Sequence, residues 1–234
     1  MSEACEAPTL LRAQALVGAA AMARVRAARV LVVGLGAVGG ACVEALARSG
    51  VGQLYLVDGD CFEASNLNRQ PFSSLKTIGC EKTLATQARL AEIAPTCAVA
   101  VRTLRVTAEQ VTELFTWAAP MAVVDAIDDV AAKMALLEAS VRRGVPAWTA
   151  MGAARKFDPA QLQVSDLAKT QVCPLARAVR QGLRKRGITR GIRCVWSSEQ
   201  PAPLGEGQTL GSLMPVTAAA GLFLAADVLR ALRG

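Results

Sequence analysis

Apolar residues fall in short unbroken runs, separated by segments in which they recur at helical spacing. Within "RVLVV", residues 29–33, Val30 to Val33 are apolar on both faces, as buried parallel strands are. A glycine turn and the helical pattern of "AVGGACVEALARSG" follow it. The rhythm then repeats. "GQLYLVDGD" predicts a second strand, 81–94 a helix stopped by Pro95, "CAVAVRT" a third strand, 107–117 a short helix and "MAVVDAID" a fourth strand. A helix over 130–143 and a strand in "VPAWTAM" continue the alternation. Such alternation predicts an α/β fold with a doubly wound, mostly parallel, Rossmann-like sheet.

After Met151 the rhythm changes. "QLQVSDL" and "IRCVWSS" read as strands on either side of a basic helix, 174–186, and a helix over 216–232 closes the chain. These are the added C-terminal strands and helices of a single domain over 1–234, with 1–151 as its nucleotide-binding half and 152–234 as its substrate side. The loop 199–211 is the best candidate for disorder. Residues 12–29, rich in arginine and free of acids, predict a leading helix, with a mitochondrial targeting helix as the alternative. Residues 207–226 carry no charge, but Pro215, Gln208 and three glycines favour a buried helix over a membrane span, and no membrane partner is expected.

Composition narrows the chemistry. With 26 Lys and Arg against 19 Asp and Glu, the net charge of +7 suggests an anionic partner. Seven cysteines, at 5, 42, 61, 80, 97, 173 and 194, are odd in number and form no C-x-x-C pair, so a reducing, cytoplasmic setting is expected. Histidine is absent, which removes the commonest general base and zinc ligand. Catalysis falls to carboxylates, arginine, lysine or a metal.

Gly34, Gly36 and Gly39 form G-x-G-x-x-G between a strand and a helix, where unpaired N–H groups can meet a phosphate. Asp58 ends the second strand, placed to accept from ribose hydroxyls. These features do not choose between an NAD enzyme and an ATP enzyme. The polar loop beyond Asp58 does. Asn66 and Arg69, three apart, would share one face of a helical turn, and Lys82 opens the next helix. Asp125, Asp128 and Asp129 end the fourth strand, where a magnesium ion bridging phosphates could be held. Two cations beside an acidic metal site describe a phosphate-cleaving centre.

"GLGAVGG", "VDGD", "NLNRQ", "TIGCEK" and "DAID", in that order, resemble the adenylating enzymes related to ubiquitin-activating enzymes and to the thiamine and molybdopterin adenylyltransferases. The resemblance runs from about Arg12 to the C-terminus. It implies that Asp58 holds the ribose, that Asn66, Arg69 and Lys82 hold the phosphates of ATP, and that Asp128 holds Mg2+. It further implies that Arg12 reaches the γ-phosphate of another subunit's ATP in a homodimer, so that Arg12, Arg69, Lys82 and Asp128 form the catalytic set. "AMGAARKFDPAQLQVSDLAKT", "PLARAVRQGLRKRGI" and "VWSSEQP" resemble, more narrowly, the tRNA threonylcarbamoyladenosine dehydratases. These use ATP to cyclise a threonylcarbamoyl group on an anticodon-loop adenosine. The zinc-binding cysteine pairs of many relatives are absent, no cysteine stands at 204–212, and Cys173 occupies a position where aspartate is usual.

The residues themselves favour the same substrate. Residues 167–198 hold eight Lys or Arg and no acid, so Arg177, Arg180, Arg184, Lys185 and Arg186 are candidate tRNA contacts, expected beside the ATP site. The expected reaction is transfer of AMP to the threonylcarbamoyl carboxylate, then intramolecular ring closure with loss of AMP, for which orientation is the main requirement. Asp125 or a backbone group could assist proton removal. Three alternatives stand beside this reading: adenylation of a ubiquitin-like sulfur carrier's C-terminus, an NAD-binding redox module, and a non-catalytic tRNA-binding protein. A sulfur-relay protein is carried as a candidate partner.

Overall fold

The computed structural model describes residues 8–205, 207 and 209–234. Cys5 lies outside them. Seven strands form one sheet: β1 (Arg29–Val33), β2 (Gln53–Asp58), β3 (Ala98–Thr103), β4 (Ala122–Asp125), β5 (Ala147–Ala150), β6 (Leu162–Asp166) and β7 (Ile192–Ser197). Their order is β3-β2-β1-β4-β5-β7-β6. All neighbours run parallel except β6 against β7. The order reverses direction between β1 and β4, which opens a crevice at the carboxyl ends of those two strands.

The helices are α1 (Leu11–Val17), α2 (Ala19–Ala27), α3 (Ala37–Arg48), α4 (Lys82–Ile93), α5 (Val111–Ala118), α6 (Val130–Arg142), α7 (Pro174–Lys185) and α8 (Met214–Arg233). They cover both sheet faces, which is why the strands read as unbroken apolar runs. Val30, Val32, Leu54 and Val124 pack with Cys42, Leu46, Val216 and Leu224 on one side. Leu31, Val33, Val57 and Val123 pack with Leu114, Leu136, Val179 and Leu183 on the other. Burial of each such large side chain stabilises the fold by about 1.5–3 kcal/mol.

The leading segment 12–29 is helical, broken into α1 and α2 at Gly18. The closing helix starts two residues earlier than expected, because Pro215 sits in the first turn, where its missing N–H costs nothing. By length and composition α8 could cross a bilayer. It instead packs on α3 so closely that a Cβ on Gly221 would lie 2.3 Å from the Val38 carbonyl oxygen. The loop 199–211, the candidate for disorder, has residues 206 and 208 outside the described residues, and its stems are bonded. Ala202 N–H donates to the Arg155 carbonyl (2.8 Å), Arg155 N–H to the Gly211 carbonyl (2.8 Å), and Asn68 Nδ2 to the Ser212 carbonyl (2.9 Å), so its two stems are tied down.

The cysteines divide by burial. Burial pushes the Cys42 and Cys194 thiols up to about 12 and Cys97 up to about 11. Cys173 is also buried, whereas Cys61 and Cys80 are exposed. Iodoacetamide near neutral pH is therefore expected to alkylate Cys61 and Cys80 in the folded protein, and the four buried thiols only after denaturation. Peptide mass mapping reads the outcome, and native labelling of Cys42 or Cys194 would contradict this core.

Candidate active site

The turn between β1 and α3 closes only because it is glycine. Gly34 has φ +95°, and a Cβ there would lie 2.6 Å from the Ala126 carbonyl oxygen, while one on Gly39 would lie 1.9 Å from that of Gly34. No side chain caps α3 at Gly36, so its first N–H groups stay available to an anion. Asp58 Oδ2 accepts from Leu35 N–H (2.6 Å) and Oδ1 from Asp60 N–H (2.8 Å). The residue expected at the ribose thus also pins the glycine turn, and each oxygen keeps lone-pair capacity for a hydroxyl.

The loop beyond Asp58 makes the expected helical turn: Arg69 and Gln70 N–H both donate to the Asn66 carbonyl, at 3.1 and 3.0 Å. Asn66 and Arg69 are not presented alike. Asn66 is buried, with Oδ1 accepting from Glu63 N–H (3.2 Å) and Nδ2 donating to Ser65 Oγ (3.3 Å), so its amide holds the turn together. Arg69 is half-buried and donates through Nη1 to the Ser65 carbonyl (2.7 Å) and Asn68 Oδ1 (2.9 Å), leaving the rest of its fork. Lys82 is buried to its tip, where Nζ meets Asp60 Oδ2 at 3.1 Å.

Two residues passed over in the sequence complete this wall. Asp60 also receives Arg105 Nη2, at 3.0 Å. Partial burial works against the Asp60 charge, but the hydrogen bonds and charges of Lys82 and Arg105 outweigh it and hold the carboxyl below its usual range. Gln70, the last letter of "NLNRQ", is buried beside Gly36, and its Oε1 has no hydrogen-bond partner. Leaving a buried acceptor unpaired costs about 1–3 kcal/mol, which a hydrogen-bond donor reaching that oxygen would relieve. Its place in the motif was the only available signal.

The three carboxylates expected to form one acidic cluster at β4 serve three different ends. Asp125 is fully buried, accepting from Lys133 Nζ (2.7 Å), Thr149 Oγ1 (2.6 Å) and Ile127 N–H (3.0 Å). It is therefore a structural anchor, neither a metal ligand nor a proton acceptor. Asp129 caps α6 by accepting from Ala132 N–H at 2.7 Å. Asp128 is exposed, and its side chain accepts no hydrogen bond among the described residues. Among the described residues no three His, Cys, Asp or Glu side chains converge as a metal cage.

Arg12 lies on the exposed face of α1 with no partner among the described residues, near Leu16, which is 85% exposed. In α7 the residues Ala176, Val179 and Leu183 are buried and the opposite face is basic. Arg177, Arg184 and Lys185 are exposed and unpaired among the described residues. The other two expected tRNA contacts are engaged: Arg180 Nη1 donates to the Thr170 carbonyl (2.9 Å) and hydroxyl, and Arg186 Nη1 meets Glu138 Oε2 at 2.7 Å. The helix also descends from the site. The Cys173 thiol before it abuts Gly152, just beyond β5, and the chain then returns to start β7 at Ile192. Twelve residues of helix span about 18 Å. Arg177 is thus near the carboxyl edge, while Arg184, Lys185 and Arg186 lie far down the flank, so the charge is not concentrated beside the ATP site as expected.

Comparison with known proteins agrees with this geometry. The tRNA threonylcarbamoyladenosine dehydratase of Bacillus subtilis is 37% identical over 195 residues, covering 83% of this chain and 76% of that protein. The crystal structure of the Escherichia coli tRNA N6-threonylcarbamoyladenosine dehydratase in complex with AMP superposes with a TM-score of 0.90 at 34% identity, covering 96% of this chain and 93% of that one. The same enzyme in complex with ATP gives 0.88 at 33% identity over the same shares. The profile described as the ThiF family matches residues 10–234, from the exposed leading helix to the last residue, and the chain belongs to that family.

Proposed function

We propose that the protein is an ATP-dependent tRNA threonylcarbamoyladenosine dehydratase, forming an acyl-adenylate and then a ring. The observation that carries this reading is the arrangement at one sheet edge. An uncapped helix N-terminus after β1, the cations Arg69 and Lys82 between β2 and the start of α4, and Asp128 after β4, a carboxylate free of partners among the described residues, all follow the carboxyl ends of three neighbouring strands. A hydride-transfer module has no use for the last three.

A free carboxylate resists substitution because attack must expel oxide. Arg69 and Lys82 stabilise the negative charge that develops on pyrophosphate as AMP passes to the carboxylate. Arg12 does so from a second subunit, and the exposed apolar residues of its own helix, Leu11 and Leu16, suit a second copy of the chain. Mg2+ fits the donor set, since this ion commonly binds through one carboxylate, here Asp128, with phosphate oxygens and water completing its shell. When bound it supplies charge neutralisation of the phosphates. The ureido group of the substrate then attacks the activated acyl carbon and AMP departs.

Incubation of threonylcarbamoyladenosine-containing tRNA with ATP and magnesium tests this reading, with nucleoside mass spectrometry as readout. Loss of one water from the modified nucleoside is the expected result. Unchanged nucleoside, with AMP formed only in the presence of a ubiquitin-like protein, would transfer the site to sulfur-carrier chemistry.

The α7 flank predicts the mode of tRNA binding. Replacing Arg177, Arg184 and Lys185 together with alanine is expected to lower the slope of log K against log salt by about 2, at roughly 0.7–0.9 per phosphate contact. Fluorescence anisotropy over a salt series measures it, and an unchanged slope removes α7 from the interface. Arg180→Ala and Arg186→Ala are expected to act less on the slope, because their guanidinium groups already have protein partners.

A further inference from the structure

Lys156 is a buried lysine that the adenylation step does not use. It lies in the loop after β5, 3% exposed, and among the described residues its one hydrogen bond is to the Ser197 carbonyl, at 3.3 Å. An ammonium carries three donors, and the described residues offer it one distant acceptor. A neutral amine, with two N–H groups and a lone pair, leaves fewer donors unmet and fits better. The charged neighbours do not alter that balance. Glu199, just past β7, is turned away to the backbone N–H groups of Phe157 and Asp158, at 2.9–3.2 Å. Arg155 donates to the Ala202 carbonyl, and Asp158 accepts from Ala160 N–H and Gln161. Burial lowers the Lys156 amine from its ordinary value, while Cys173 and Glu199 oppose the shift.

The backbone around Lys156 is strained on two sides. Arg155 and Val172 have φ of +60° and +61°, in the left-handed region that side-chain-bearing residues avoid and β-branched ones most of all. Strain of this kind persists where the surrounding fold holds a functional group in place. β4 and β5 are parallel neighbours, so the loop after β5, which carries Lys156, leaves the same sheet edge as the β4 loop that carries Asp128.

We infer that Lys156 is a catalytic residue of the ring-closing step, accepting the proton of the substrate's ureido group. In that step a bond forms between the ureido group and the acyl carbon. The bond from that carbon to the AMP oxygen breaks, and its electron pair leaves with AMP. The ureido N–H proton passes to the neutral Nζ, which becomes an ammonium and returns its proton to solvent after product release. The role answers the proton-transfer need that fully bonded Asp125 cannot meet in a chain without histidine. It rests on the dehydratase reading above.

The test separates the two half-reactions in Lys156→Ala, Lys156→Arg and wild type. Pyrophosphate exchange dependent on substrate tRNA reports adenylation, and single-turnover nucleoside mass spectrometry reports ring closure. Removing a general base is expected to slow closure by about 10²–10⁴-fold while exchange changes far less. Arginine, which cannot be deprotonated at any working pH, is expected to fail like alanine. The acid limb of the wild-type closure profile is expected to vanish in both variants, and added small amines to restore part of the rate in Lys156→Ala. Cys173→Asp, which places a charge beside the amine, is expected to move the acid limb to higher pH. Equal losses of exchange and closure, or an acid limb that persists in Lys156→Ala, would overturn the assignment. Absence of any water loss with wild-type protein would instead overturn the dehydratase reading, whatever the variants do.

Discussion

Asp128→Ala is expected to lower kcat/KM for tRNA dehydration by about 10³-fold, the scale at which one preorganised charge contributes to a transition state. The side chain is exposed and bonded to nothing among the described residues. Its removal is therefore expected to shift stability by no more than about 0.5 kcal/mol, as at other surface positions without partners. Loss of activity with an unchanged melting curve separates catalysis from folding. Asp129→Ala is the contrasting neighbour: it removes a helix cap and is expected to cost about 1 kcal/mol of stability with a much smaller effect on rate. Steady-state kinetics beside thermal unfolding decides the matter. Full activity in Asp128→Ala would exclude the metal-holding role of this carboxylate.

The largest effect on stability is expected one residue layer deeper. Lys133 and Asp125 form an ion pair with both side chains at 0% exposure, and Lys133 also donates to Thr149 Oγ1 and the Ala150 carbonyl, each at 3.1 Å. Lys133→Met leaves the Asp125 charge buried without its cation, which costs about 3–5 kcal/mol. In a chain of this size each kcal/mol corresponds to about 2–4 °C, so the melting temperature is expected to fall by about 10 °C. The pair joins α6 to the ends of β4 and β5, so catalysis should weaken with it. Removing both charges, as in Asp125→Leu with Lys133→Met, is expected to recover much of the loss, because apolar replacements of buried pairs are often neutral. A double-mutant cycle by urea denaturation measures the coupling. A single variant as stable as wild type would show that the carboxylate is compensated by Thr149 and Ile127 alone.

The fold was legible because it rests on a local rule. Strands covered on both faces must be apolar throughout, and the runs at Arg29–Val33 and Ala122–Asp125 carry that signature in the chain itself. The glycine turn was legible for a similar reason: the crowding at Gly34 and Gly39 excludes any Cβ. Of the site, the identity of the polar residues could be read, and their allegiance could not. Asp125, Asp128 and Asp129 look alike as letters, yet Lys133 and Thr149 claim the first, a helix end the last, and only Asp128 is left over.

Hydrophobic period and backbone sterics act between residues close in sequence, so the strands, helices and phosphate turn were determined by the chain alone. Charge pairing and desolvation act between residues close in space. Which carboxylate stays free, which arginines on α7 face solvent, and whether Lys156 lies in water or beneath a strained loop were decided only when the sheet brought β4, β5 and β7 side by side.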